Sequence, residues 1–500
     1  MTPNSERTAV LEPSTNGVAS STPAAPTGVQ ARRRLAVPRI GLTTHVLPAL
    51  ILALPILGTA LVFWPGHMSA DTLDEAAQAM SGNISNIHAG LLVYGWHILW
   101  PLGVGPGWLL FGQLLAFCLG VYLIFRAIFS PLWAAILTAL VSFAPPVFGE
   151  LAHVGRDMWF LGFNMMTFGC LVRAVQRPWP TRGWWLGATV VFAWLTLAAR
   201  QNAASTVFIA LIGVAWLVLV HSRWRTPAGD RRTRIRRGVL AGLAGCLLTI
   251  VLMGTQTGLS DAIGIENANP QQYGMLYDVA GLSVRENKDL FPKSILPPSK
   301  FAVLKANWNV DSVDSLDHVA NPLVPVPLPE AQYKALQKKW ISDVAGNPGS
   351  YLGVRTTLFL RELAITRKSM WIFHPVIDPN TFGYQTKFPK LDNAADNYVK
   401  SFANANLDGG IVFTVWVYLL ITIAACVVLL RRTRGPALLV VGGLALSALT
   451  IQIGFYLAAM GTAYRFEHGP VVIALMVTAV MVKLAVDRLA ARRRDRVATT

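Results

Sequence analysis

Long apolar runs alternate with short polar breaks along most of the chain. Runs at 44–64, 107–129, 131–148, 158–175, 184–199, 203–221, 239–258, 411–430, 436–460 and 470–488 stand out. Each comes close to the length of about 17 to 25 residues that a helix needs to cross a bilayer. The pattern predicts an all-α polytopic membrane protein with about ten transmembrane helices. Two regions depart from it. Residues 90–101, Gly90-Leu-Leu-Val-Tyr94-Gly-Trp96-His97-Ile-Leu-Trp100-Pro101, are apolar and aromatic but too short to span. They predict a helix lying in the membrane interface. Residues 259–410 mix polar and apolar positions over a domain-sized stretch. They predict a mixed, mostly helical domain between the seventh and eighth spans. Within it Pro329-Glu330 opens a helix over 330–345, and Tyr351, Leu352, Val354, Leu358 and Leu360 make an apolar stripe over 350–366.

The ends complete the organisation. Residues 1–40 are rich in Ala, Pro, Ser and Thr and include Arg32-Arg33-Arg34, which predicts a disordered tail. The first apolar run comes late and lacks a small-residue cleavage site, so it reads as a span and not as a signal peptide. The parts are therefore the tail 1–40, a seven-span module 41–258 with its first polar loop at 65–106, the domain 259–410, three spans in 411–490 and a basic tail 491–500.

Charge orients this arrangement. The protein is 53% hydrophobic and 14% charged, with a formal net charge of +17. Arg173, Arg177 and Arg182 surround the turn between the fourth and fifth spans; Arg223, Arg225, Arg231, Arg232, Arg234, Arg236 and Arg237 lie between the sixth and seventh. Arg431, Arg432 and Arg434 follow the eighth, and Arg492, Arg493, Arg494 and Arg496 follow the tenth. With both termini cytoplasmic, every one of these clusters falls inside, as the positive-inside bias requires. Residues 259–410 carry equal numbers of acids and bases. The basic excess is then a topology signal with attraction to membrane lipids, and it argues against nucleic acid as a partner. Cys118, Cys170, Cys246 and Cys426 all lie in apolar runs without metal-ligand spacing, and read as small core residues.

The chemistry-bearing groups gather on the opposite, outer face. The loop after the first span carries Asp71, Asp74, Glu75, Gln78 and His88. The next carries Glu150, His153, Arg156 and Asp157; a third is little more than Arg200-Gln201-Asn202; the last carries Tyr464, Arg465, Glu467 and His468. Charges at membrane depth are costly and mark function. Plainer roles exist for each: Thr72 and Glu75 have capping-box spacing, Arg156-Asp157 fits a local ion pair, and Arg200 fits an interfacial anchor. Co-location is what favours a shared site. A carboxylate there can act as general base on an acceptor hydroxyl, and arginines can hold a phosphate leaving group. Asp71 is the first choice of base, being nearest the first span. Tyr277-Asp278, near the start of the 259–410 domain, is a further pair placed to approach this loop.

At Asp71 in SADTLDEAAQ, Arg156-Asp157 in HVGRDMWF, Arg200-Asn202 in AARQNA and Arg465 in YRFEH, the sequence resembles the GT-C superfamily of integral membrane glycosyltransferases. The resemblance covers most of 40–260 and, more loosely, the last three spans. It implies a seven-span catalytic module in a bacterial inner membrane and an active site on the extracytoplasmic face. It implies a polyprenyl-phosphate sugar as donor, as in mannosyl- and arabinofuranosyltransferases, and a glycan, lipid or protein of the cell envelope as acceptor. In these terms Asp71 is the base and Asp157 an assisting acid. Arg156, Arg200 and Arg465 bind the donor phosphate, with Asn202, His88, Gln78, Glu150 and Tyr464 in support. The sequence departs from the family at His88-Ala89-Gly90, where related members carry His-Pro. No cofactor is called for, no residues are assigned as metal ligands, and a divalent metal ion is left open. Two other readings use the same features: a transporter or flippase of an anionic lipid-linked saccharide, and a polymerase or ligase of lipid-linked glycans.

Overall fold

The computed structural model describes residues 45–221, 231–317, 322–366, 372–403, 410–432 and 435–498. The predicted tail 1–40 and Arg223, Arg225, Arg367 and Arg434 lie outside them. Every regular element among the described residues is helical, with a few isolated β-bridges between loops. Each apolar run is helical, but not each is a plain span. α1 (Leu47–Val62) is a short apolar helix with a π turn over Leu54–Gly58, where Pro55 lacks the N–H that the helix needs. α2 (Ala70–Ser81) and α3 (Gly90–Leu99) follow in the polar loop. α4 (Pro106–Arg126) opens on a proline at its first position. α5 (Pro131–Ser142) and α6 (Pro145–Leu151) divide one apolar run with a bend of 77°. Ala144 precedes Pro145-Pro146 and is extended, as a residue before proline must be.

α7 (Arg156–Gln176) and α8 (Thr181–Ala199) form a hairpin, and α9 (Ala204–His221) and α10 (Arg231–Ala262) pack beside it. The next segment holds α11 (Gln272–Glu286), α12 (Phe301–Asn307), α13 (Asp314–Asp317), α14 (Glu330–Gly346), α15 (Pro348–Glu362) and α16 (Pro389–Lys400). The predicted helices over 330–345 and 350–366 are α14 and α15. α17 (Val415–Arg432), α18 (Pro436–Ala458) and α19 (Tyr464–Ala498) end the chain. The helix α19 runs on through Arg492, Arg493, Arg494 and Arg496 into the stretch read as a basic tail.

Five described helices are long and apolar enough to cross a membrane: α4, α7, α10, α18 and α19; the bent α5–α6 pair makes a sixth. α1, α9 and α17 are apolar but shorter. Of the ten predicted spans, then, five or six meet the requirement by length and composition. The outward face of α10 exposes Leu243, Leu247 and Ile250, which suits contact with lipid tails. Cys246 is exposed on this helix, unlike the three buried cysteines, so the reading of all four as core residues fails there. The described cysteines are unpaired.

Two packing features position the site. First, α4 and α7 approach closely because their seam is made of small residues. A Cβ on Gly120 would lie 2.5 Å from the backbone of Met165, and one on Gly169 would lie 3.0 Å from the carbonyl of Gly120. Such seams replace the hydrophobic drive that helices lack in lipid. Second, the last helices fold back onto the first module: α18 packs on α7 and α9, and α19 packs on α6 and α17. The buried Tyr464 hydroxyl donates to the Pro146 carbonyl at 3.0 Å, which fixes the start of α19 beside α6.

The segment between α10 and α17 has its own ties. Arg355 of α15, 2% exposed, pairs with Asp278 of α11 at 2.7 Å and donates to the Ala459 carbonyl. Asp278 also accepts from Trp340 at 2.9 Å, and the Tyr277 hydroxyl donates to the Val310 carbonyl at 2.8 Å. Tyr277-Asp278 is thus a core element of this segment, and not a pair approaching the α2 loop. Burial of a charge demands a partner, and Arg355 supplies it.

Candidate active site

The polar stretch that leads into α2 is held extended from both sides. The N–H of His67 donates to Ala152 and its carbonyl accepts from Val154, both at 2.9 Å; the N–H of Met68 donates to Val376 at 3.1 Å. Gly66 sits at φ +107, and a Cβ there would meet Val154 at 2.4 Å, so both conformation and space call for glycine. Ser69 is extended at the N-cap, and α2 ends where Gly82 turns left-handed at φ +76. Thr72, Leu73, Glu75, Ala76 and Ala79 form the buried face. Asp71 and Asp74 fall on the other side. Thr72 donates to the Val154 carbonyl at 2.5 Å, so the capping-box role for Thr72 and Glu75 is not what the helix start uses.

Asp71 lies between two arginines. Arg156, the first residue of α7, is 3.6 Å away and Arg465, the second of α19, is 3.4 Å away. Arg465 also reaches Asp157 at 4.0 Å, and Asp157 pairs with Arg200 at 2.6 Å. Arg156 and Asp157 therefore pair with residues from other elements, not with each other. Arg200 is no simple interfacial anchor, since Asp157 takes one side of it and the rings of Phe455 and Phe466 lie 5.9 and 5.3 Å from its guanidinium carbon. On the other flank, Arg156 approaches Nδ1 of His88 at 3.1 Å, and Nε2 of His88 meets Asp74 at 2.8 Å. Arginine only donates, so Nδ1 accepts and Nε2 carries the proton given to Asp74. The result is one alternating array: Asp74, His88, Arg156, Asp71, Arg465, Asp157, Arg200.

The supporting residues divide. Gln78 donates to Asp74 at 2.7 Å and accepts from the Ser85 N–H at 2.9 Å, so it fixes the Asp74–His88 flank. Glu150 is buried in α6 within the field of Arg465 and Asp157. Tyr464 is a packing residue, bound to Pro146 and edge-on to Phe413. Asn202 lies in the short turn Gln201–Ala203, where its carbonyl accepts from Ser205; among the described contacts its side chain does not enter the array. His153 is buried beside Ser69, its Nε2 3.3 Å from the hydroxyl.

Electrostatics follow from these contacts. Burial pushes the Asp71 carboxyl up, but Arg156 and then Arg465 outweigh it and hold the group at about 2. The hydrogen bond from His88 lowers Asp74 against the effect of burial. Among the described residues Glu75 has no such neighbour at contact, and burial pushes it up to about 7. Burial pushes His153 down to about 3, which keeps it neutral.

An open groove of about 440 Å³ lies against the Leu73 side of α2, the side away from Asp71. Leu73 of α2 lines one side, and Pro379, Asn380, Thr381 and Phe382 line the other. Phe382 stacks on Tyr384 with centroids 5.5 Å apart. Nothing in the local pattern of 376–384 marks it as part of this site; it is brought there by pairing of the 376–378 backbone with Met68. No protein-family pattern and no curated protein matches the chain.

Proposed function

We propose that the protein is a membrane glycosyltransferase of GT-C type that moves a sugar from a polyprenyl-phosphate donor to an extracytoplasmic acceptor. The observation that carries this reading is the half-buried Asp71 held between Arg156 and Arg465. In this reading all ten apolar runs cross a bacterial inner membrane, some of them bent or short, with both termini in the cytoplasm. The array then faces outward. The donor phosphate takes Arg156 and Arg465, with Arg200 held in place by Asp157. Asp71 removes the proton of an acceptor hydroxyl, the acceptor oxygen bonds to the anomeric carbon, and the bond from that carbon to the phosphate oxygen breaks. The electron pair leaves on the polyprenyl phosphate, where the arginines stabilise it.

One physical consequence supports this assignment of roles. A carboxyl held at about 2 is a weak base. The same arginines that hold it there are the ones the phosphate would occupy. Anion binding cancels their pull and leaves burial, which raises the carboxyl. Donor binding thus turns Asp71 into a better base. A flippase would use the arginines equally, but it has no task for a carboxylate set between them.

The test is incubation of the purified protein with a panel of radiolabelled polyprenyl-phosphate sugars. Transfer by the wild type and its loss in Asp71→Asn, with an unchanged melting temperature, is the expected result. Near-wild-type transfer by Asp71→Asn would remove Asp71 from the mechanism.

A further inference from the structure

One side-chain cluster outside the array has no task in the proposed transfer. His67, Asp392 and Asp396 are 1%, 7% and 4% exposed. A donor atom from each lies within 4.8 Å of the other two. His67 comes from the extended segment before α2, while Asp392 and Asp396 stand one turn apart on one face of α16. Nε2 of His67 is 2.8 Å from Asp392, and that contact ties the two elements together. It leaves capacity unused: among the described residues His67 Nδ1 and Asp396 Oδ1 are buried with no hydrogen-bond partner. Lys400 is 3.8 Å from the other oxygen of Asp396, beyond hydrogen-bond length, and its ammonium lies over the Phe373 ring. The Phe63 ring closes against His67 with centroids 5.0 Å apart.

Lys400 offers one positive charge at the edge of the cluster, which leaves two buried carboxylates only partly compensated, and buried polar atoms are rarely left unpaired. A cation between the imidazole and the two carboxylates supplies that charge and gives Asp396 Oδ1 a partner. We propose that His67, Asp392 and Asp396 bind a divalent transition-metal ion. One imidazole nitrogen and two carboxylate oxygens suit Zn²⁺, with a fourth position left for water or a further oxygen. Mg²⁺ is a poorer match, since it prefers an octahedral shell of oxygens. The ion would brace α16 against His67, four residues before Asp71, so its place is structural. It stands apart from the transfer reading, and its test does not depend on transfer activity.

The experiment uses the full chain, purified in detergent and stripped with EDTA. Zn²⁺ or Mg²⁺ is added back, metal content is measured after desalting, and melting is followed. Cys246→Ser is the background, which removes the exposed thiol as a competing ligand. The expected result is one equivalent of retained Zn²⁺, a higher melting temperature with Zn²⁺ than with Mg²⁺, and affinity lowered about tenfold or more in His67→Gln and Asp396→Asn. Asp71→Asn retains the ion. Co²⁺ substitution of the otherwise unaltered protein gives visible absorption bands of a nitrogen–oxygen site, a readout that needs no folded variant. Absence of both retained Zn²⁺ and the Co²⁺ bands overturns the proposal. So does equal Zn²⁺ retention by folded His67→Gln and Asp396→Asn, which would make the cluster a plain His–Asp clamp.

Discussion

Asp71 has its charge state set by residues that come from the far ends of two other helices. Burial raises its carboxyl and Arg156 and Arg465 lower it further, to about 2. If phosphate takes both arginines, the bound and free enzymes differ in the pKa of this one group. The acid limb of the kcat profile is therefore expected at higher pH than the acid limb of kcat/KM, because kcat reports the complex and kcat/KM the free enzyme. A pH–rate series with a saturating and a dilute donor checks this, and coincident limbs would count against Asp71 as the base. Glu75 responds in the opposite sense. Burial raises it from 4.5 to about 7, so folding is favoured below pH 4.5 and penalised as pH rises through 7. Glu75→Gln is expected to gain ~3 kcal/mol of stability at pH 8 relative to pH 4. Melting of both proteins at the two pH values measures it.

At the scale of elements, the seam between α4 and α7 carries the array, because Arg156 and Asp157 open α7. Gly120 packs against the Met165 backbone at a distance that excludes a Cβ, whereas Gly187 on α8 has nothing within 4 Å. Gly120→Ala is expected to cost about 1–3 kcal/mol, since the obstacle is main chain and cannot rotate away. Gly187→Ala is the control and is expected to leave the melting temperature unchanged or slightly raised. Equal melting of the two variants would mean that the helices are free to separate. Much of this scale was legible from the pattern alone. The apolar runs all fold as helix, and α3, α14 and α15 lie where short-range signals placed them. What the pattern did not show was how the runs are broken. Ala144-Pro145-Pro146 bends one run by 77°, and Pro55 puts a π turn in another. Run length therefore does not say whether a run folds as one straight helix.

For the whole molecule, the question is what docks the segment between α10 and α17 on the helical module. Arg355 reaches both Asp278 inside that segment and the Ala459 carbonyl at the end of α18. Arg361 adds a paired contact to Asp311, which also accepts from Thr462 at 3.0 Å. Arg355→Met is expected to destabilise by about 3–5 kcal/mol because it strands a buried carboxylate. Adding Asp278→Leu is expected to recover most of that loss, since a paired apolar replacement removes the stranded charge as well. Melting of the single and double variants measures both. The double variant remaining as unstable as the single one would show that the Ala459 contact, not charge pairing, is what matters.

Local pattern determined which stretches are helical, where the polar loops fall, and which acids and arginines crowd the loops: Asp71, Arg156, Asp157, Arg200 and Arg465 were all legible. These properties depend on near neighbours in sequence, through hydrogen bonding along the helix and the cost of burying charge in an apolar run. Tertiary structure alone decided the partners. It put Arg465 between Asp71 and Asp157, joined His88 to Asp74 and Arg156, and left Tyr464 and the Asn202 side chain out of the array. It also drew Tyr277-Asp278 into a core and set His67 beside Asp392 and Asp396. Each of those outcomes depends on how helices far apart in the chain pack together. The small-residue seam, the proline bend and the fold-back of α18 and α19 set that packing, and no periodicity within a single run encodes it.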